Sequence, residues 1–327
     1  MKLVAKITFS LIVLSSLIFT SCRKKELPVP KPNTGDIIST TITMHSNYDR
    51  IIYFNLGTNK IVGETNKLTW DLAFTCNEGT QYGIMNGAKI MYAAKVTDKT
   101  FEQISNTSAL TTGAKEQIAS GRLDSMVMKD LGVYVIDRGY DYDGNQQGYF
   151  KVEVLENSAT TFKGRFANID GSNDQTITLQ KNAEYNYIFV KWDPTGAVTN
   201  PIIEPKKDSW DVVFTQFSKV FYEPEFTPYV VVGCLTNPYK TLSYYAEGKT
   251  FDEINLSFAE NTTLSTDWDA IGYDWKSFSL NQSMYDVYYN KVYLIKDQNE
   301  YYYKLRFVDF YSDSGEKGSP TFEYQRL

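Results

Sequence analysis

One string of motifs runs through this chain twice, in the same order, and that repetition limits the possible folds more than any other feature. Thr41-Ile42-Thr43-Met44 is echoed by Thr176-Ile177-Thr178-Leu179, and Tyr48 to Asn55 by Tyr185 to Lys191. Leu68-Thr69-Trp70-Asp71-Leu72-Ala73-Phe74-Thr75 returns as Asp208-Ser209-Trp210-Asp211-Val212-Val213-Phe214-Thr215. Lys99-Thr100-Phe101-Glu102-Gln103-Ile104 returns as Lys249-Thr250-Phe251-Asp252-Glu253-Ile254. Val133 to Ile136 matches Val292 to Ile295, and Tyr149-Phe150-Lys151-Val152 matches Tyr302-Tyr303-Lys304-Leu305. A period of roughly 140 residues is far longer than a solenoid repeat. It predicts two domains related by internal duplication, residues 36–171 and 172–327, with the boundary near Gly171.

Inside each copy the apolar residues alternate. Leu305 and Phe307 fall to one side of Lys304 to Phe310, as in a half-buried strand. Tyr53-Phe54, Tyr187 to Val190 and Val230 to Val232 read the same way, and Asp143-Gly144-Asn145 and Asp170-Gly171-Ser172-Asn173 supply turns. Aromatic side chains make up 15% of the chain (25 Tyr, 19 Phe, 5 Trp), which favours pleated sheet. The only helical signals are Ala114 to Arg122 and a short turn at Phe101 to Ile104. The expected fold class is all-β: two tandem, mainly antiparallel β domains. Trp70 and Trp210 are expected in the core, and Asp71 and Asp211 are expected to bond a neighbouring backbone in a turn.

The first residues concern destination. Lys2 and Lys6 precede the apolar run Ile7 to Phe19, the pattern of an export signal over residues 1–21. Phe19-Thr20-Ser21-Cys22 resembles a bacterial lipobox, which makes Cys22 the expected lipidation site. Residues 22–35, with Arg23-Lys24-Lys25 and Pro28, Pro30 and Pro32, read as a lipid-anchored spacer that does not fold compactly. The expected location is the cell envelope, as an outer-membrane lipoprotein held by its anchor alone. Cys76 and Cys234 are expected to be buried thiols.

Several functions are excluded early. With 33 Lys plus Arg against 39 Asp plus Glu, the net charge is -6, unlike a nucleic-acid binder. One histidine cannot build a two-imidazole zinc motif. No nucleophile–base constellation marks a hydrolase, so no enzymatic activity is expected. Asp141-Tyr142-Asp143-Gly144 opens like a calcium loop, but position twelve is Val152 and not Glu. His45, in the polar run His45-Ser46-Asn47, reads as a surface or turn residue.

The repeated Trp-Asp-Leu/Val-x-Phe and Lys-Thr-Phe-Asp/Glu-x-Ile motifs also carry a family resemblance. So does the ending Tyr301 to Tyr324, with Lys304-Leu305-Arg306-Phe307 and Gly315-Glu316-Lys317-Gly318-Ser319-Pro320. Together they resemble the HmuY family, all-β haem-binding lipoproteins of Bacteroidetes, in two tandem copies. The resemblance implies binding of haem or a related porphyrin for haem acquisition, with an outer-membrane transporter as partner. In the family two side chains clamp the iron, histidines in the best-known member and methionine in some relatives. His45 lies outside the family's ligand regions. The candidate donors are therefore Met284 and Tyr285 before the strand Tyr288 to Lys296, and Met126 and Met128 at the similar place in the first copy. Each methionine also has a plain reading as core filler. The tract Tyr285, Tyr288, Tyr289, Tyr293, Tyr301, Tyr302 and Tyr303 is read as cross-strand pairing or as a tyrosine-rich binding surface. The competing function is a non-catalytic surface binding or assembly lipoprotein that has lost the haem site and binds a protein or glycan.

Overall fold

The alternating segments form strands throughout the computed structural model, which describes residues 34–112, 128–193, 195–221, 224 and 227–327. The export segment, Cys22, Met126 and the expected helix at 114–122 lie outside the described residues. In chain order the first half holds β1 (Ile38–Thr41), β2 (Arg50–Asn55), β3 (Lys60–Asn66), β4 (Leu72–Thr75), β5 (Gly83–Met85), β6 (Tyr92–Val96), β7 (Gly132–Asp137), β8 (Tyr149–Asn157) and β9 (Thr161–Asn168). The second half begins with β10 (Gln175–Gln180), β11 (Tyr187–Trp192), β12 (Val198–Thr199), β13 (Val212–Phe221), β14 (Thr227–Thr236) and β15 (Leu242–Tyr245). It ends with β16 (Lys276–Ser279), β17 (Met284–Val287), β18 (Val292–Lys296), β19 (Tyr302–Tyr311) and β20 (Lys317–Arg326). The described α-helices are two short ones, Ser108–Thr112 and Leu256–Glu260. Among the described residues no helix is long and apolar enough to cross a membrane.

All the strand pairing is antiparallel, and the halves pair in corresponding ways. One five-stranded sheet runs β10-β9-β8-β7-β6 and the other β1-β20-β19-β18-β15. The four-stranded sheets run β12-β11-β4-β5 and β14-β13-β2-β3. In each of these the central pair joins one strand from before Gly171 to one from after it. Val190 faces Leu72 and Ile188 faces Phe74, while Phe54 faces Val212 and Ile52 faces Phe214. The expected boundary near Gly171 therefore falls in a turn between two paired neighbours, β9 and β10. No sheet ends there. Residues 34–327 form one contact unit.

Four layers result. Phe74, Phe150, Phe162 and Trp192 belong to the core between the first five-stranded sheet and β11-β4. Phe54, Phe214, Phe307 and Phe322 do the same between β2-β13 and the second five-stranded sheet. Tyr53, Trp70, Phe189 and Trp210 fill the middle layer, where the two four-stranded sheets meet face to face. Trp70 and Trp210 are thus core residues, each with its ring edge-on to an aromatic partner, Phe189 and Tyr53 respectively. The Lys-Thr-Phe segments cover the outer faces, through Phe101 and Ile104 on one side and Phe251 and Ile254 on the other. A buried lysine pins each cover. Lys151 Nζ donates to the Phe101 and Ile104 carbonyls at 2.9 and 2.7 Å, and Lys304 Nζ to the Phe251 carbonyl at 2.8 Å. Cys76 and Cys234 are buried and free, one in each outer core.

The two Trp-Asp motifs hold partners across the chain rather than within their own turn. The Trp192 amide donates to Asp71 Oδ2 at 2.8 Å, and the Leu56 amide to Asp211 Oδ2 at 2.7 Å. Their surroundings differ in charge. Buried Lys89 and Arg138 both bond the Asp71 carboxylate. At the place of Arg138, directly after β18, stands Asp297, and Lys240 at the place of Lys89 is exposed. Asp211 is fully buried, and its Oδ1 has no hydrogen-bond partner among the described residues. Burial, reinforced by Asp297, pushes its carboxyl up to about 7.

A raised carboxyl favours the folded state at low pH, where it is protonated, and that contribution is lost as pH climbs from the ordinary carboxylate range through 7. Asp211→Asn is therefore expected to raise the melting temperature at pH 8 and to change it little at pH 4. Asp71→Asn, which strips two buried cations of their counter-ion, should destabilise by about 3–5 kcal/mol at pH 8. Thermal melts of both variants check this, and a gain at pH 8 for Asp71→Asn or a loss for Asp211→Asn would contradict it.

Candidate functional site

The largest described cavity, about 700 Å³, opens beside the β13-β14 hairpin in the second half of the chain. Three features of the sequence build it. Strands β13 and β14 are ten residues each, against four and three in the corresponding β4 and β5, so the hairpin carries Phe221 and Tyr229 outward as one wall. The segment 267–275 then crosses the edge of β14. Cys234 and Gly272 exchange backbone hydrogen bonds at 2.9 and 3.1 Å. A Cβ on Gly233 would lie 2.3 Å from the Gly272 carbonyl oxygen, so only glycine admits this crossing. Finally β16 and β17 form a separate two-stranded hairpin that makes the opposite wall.

Pairing in that hairpin sorts its side chains. Lys276 faces Val287, Phe278 faces Tyr285, and Ser279 faces Met284. Directly opposed residues share a face, and the period of two puts Lys276, Phe278, Tyr285 and Val287 together on one side. Tyr285 and Val287 pack on the core, and Phe278 meets the Tyr285 ring edge-on at 5.1 Å. Met284 points the other way and is 42% exposed. Tyr48, from the turn before β2, closes the floor together with Val232.

Lys276 is the unusual group. It is 7% exposed, its Nζ donates to the Val232 carbonyl at 2.5 Å, and it lies over the rings of Trp275, Phe310 and Tyr285 at 4.1, 4.7 and 5.6 Å. Burial pushes its ammonium down to about 7. Among the described residues it forms no ion pair, whereas its neighbour Lys291 is held by Asp274 at 2.8 Å. Burial also raises the Tyr285 and Tyr48 phenols, the latter well above its ordinary range with help from the Tyr285 hydroxyl. The Tyr285 amide donates to the Tyr311 hydroxyl at 2.7 Å, which fixes the hairpin against β19.

Of the sequence-derived donors among the described residues, Tyr285 alone lines the cleft. Met284 is on the hairpin's outer face. Met128 is 1% exposed in the core of the first half, with its carbonyl accepting from the Gly83 amide at 3.0 Å. Met284 and Met128 are not brought together. His45 is exposed and bonds Asp49 through Nδ1 at 2.8 Å. The tyrosine tract divides: Tyr285 and Tyr288 line the cleft, Tyr293 and Tyr303 are core, and Tyr289 is 69% exposed. The sequence reading missed Lys276, Tyr48 and Tyr229. A signal for Lys276 was present, a lysine on the apolar side of an alternating run directly after Trp275. Asp141 accepts from the Asp143 and Asn145 amides at 3.0 and 2.9 Å, so the calcium-like loop is an Asx turn. No three metal-ligating side chains cluster among the described residues.

The architecture is that of an antiparallel all-β scaffold that offers a tyrosine-walled cleft, a binding geometry. The family follows from comparison: the family model described as HmuY protein matches residues 47–324, and the chain belongs to the HmuY family. No curated protein matches it. Three solved structures align along most of their lengths with low identity. Apo PinO from Porphyromonas gingivitis is 11% identical, with 89% of this chain and 97% of that one covered and a TM-score of 0.34. A protein of Bacteroides vulgatus described as HmuY-like and heme-binding is 11% identical, over 88% and 90%, at 0.22. The apo HmuY analog of Tannerella forsythia is 12% identical, over 90% and 99%, at 0.21. The assignment rests on the family model.

The lysine makes a checkable difference. A lysine lowered by burial weakens the folded state below about pH 7, and stability returns as pH rises from there toward its ordinary value. Lys276→Met is expected to melt higher than the parent at pH 6, with the gap narrowing by pH 9. A gap independent of pH, followed by circular dichroism, would show that the amine is not desolvated.

Proposed function

We propose that this protein binds haem or a related porphyrin in the cleft between the β13-β14 and β16-β17 hairpins, as a lipoprotein anchored through Cys22 in the cell envelope. In this reading it captures the ligand for iron or haem acquisition and passes it to an outer-membrane transporter. The observation that carries it is the cleft itself. Its volume falls within the roughly 300–1,000 Å³ of small-molecule sites, its walls are aromatic, and it holds a buried cation beside them. Family membership supports the same ligand class. Tyr285 presents its ring to the cleft from the hairpin side.

Titrating the purified protein with haemin, read by the Soret band and by quenching of tryptophan fluorescence, tests this. Trp275 lies directly under Lys276 at the back of the cleft, so its emission reports on occupancy. Saturable change in both signals is expected. Phe278→Ala combined with Tyr285→Ala should weaken binding by about tenfold, through lost ring contacts. No saturable change in either signal would remove the reading. A second reading, a surface binding role toward a protein or glycan, is favoured by exposed apolar side chains in this half of the chain: Leu280 directly after β16 is 84% exposed, Tyr289 69% and Tyr229 58%.

A further inference from the structure

We propose that the cleft holds a tetrapyrrole by its aromatic face and by one peripheral carboxylate, with no bond to a central metal, so that metal-free porphyrin binds as tightly as haem. This rests on the porphyrin reading and adds to it the means of recognition. The first support is the donor set. The described residues lining the cleft include no imidazole, thiol or thioether. His45 is turned to solvent against Asp49, Met284 faces out from the hairpin, and Cys234 is fully buried in the core. Burial raises the Tyr285 and Tyr48 phenols, so ionising either to the phenolate that ferric iron takes costs more here than in water.

The second support is Lys276. A cation nine-tenths buried, pressed between three ring faces and with no ion pair among the described residues, is costly unless something compensates it, and the nearby Asp274 does so only through its field. Lys291, the other lysine of the cleft, is already taken by Asp274. A ligand carboxylate seated on Lys276 supplies the missing partner, and its charge would draw the amine back to the ammonium form. The third support is the wall: Phe278 and Tyr285 on one side and Tyr229 on the other present ring surface to a flat molecule. Iron is not needed for either contact.

The test compares haemin, metal-free protoporphyrin and the dimethyl ester of that porphyrin on the full chain, using tryptophan quenching for all three. The first two are expected to bind within about threefold of each other, and the ester about tenfold or more weaker, as for loss of a desolvated charge pair. Lys276→Met should lower affinity for the two free acids to that of the ester and leave the ester unchanged, while Met284→Ala changes none of the three. Haemin binding more than tenfold tighter than the metal-free ring, with Tyr285→Phe or Met284→Ala abolishing the difference, would overturn the inference and leave the porphyrin reading standing. An ester that binds as well as the acids would also overturn it. If none of the three binds, the porphyrin reading itself falls.

Discussion

Each Trp-Asp motif grips a strand that belongs, by sequence, to the other half of the chain. The carboxylates of Asp71 and Asp211 accept amides from Trp192 and Leu56. Their own amides donate to the Val190 and Phe54 carbonyls at 2.9 Å. These four contacts anchor the central pairs of both four-stranded sheets, and the four layers depend on that pairing. Without it the middle layer of Tyr53, Trp70, Phe189 and Trp210 would have no second face to pack against. The two halves correspond in their pairing, each taking one strand of its four-stranded sheet from the other side of Gly171.

The difference between the halves is as informative as the likeness. In the first half a buried aspartate is neutralised by protein cations, while in the second it meets another carboxyl and stays electrically uncompensated unless protonated. The same half has the long β13-β14 hairpin, the separate β16-β17 hairpin and a buried lysine with no ion pair among the described residues. A buried carboxyl with a raised pKa and a buried lysine thus occur in the half that also carries the large cleft, a combination common at binding sites. In the other half the corresponding strands are short.

Much of this was legible from the residues. Alternating apolar positions and turn clusters gave the strands, and the repeated motifs matched paired elements one for one. What motif spacing does not encode is which copy a strand joins. Val190 and Phe54 present the same apolar character to either Trp-Asp partner, so the exchange is decided by tertiary packing and not by local pattern. The site was half visible. Tyr285 stood out because it sits in an aromatic run, but side-chain direction on β17 depends on register with β16, and one step separates the cleft-facing Tyr285 from the solvent-facing Met284. Met128 looked like its counterpart only until the first core closed around it.

The ends of the sheet topology have a kinetic meaning. Strand β1 pairs with β20, Ile38 opposite Tyr324, and Gly35 hydrogen-bonds Arg326. The outer sheet of the second half thus stays unfinished until the last few residues are available, and β2 must wait for β13. Contacts this distant in sequence make assembly slow and leave strand edges bare meanwhile. A chain built this way gains its final form only as a whole, and a product that lacked β1 or β20 would expose the raw border of a sheet.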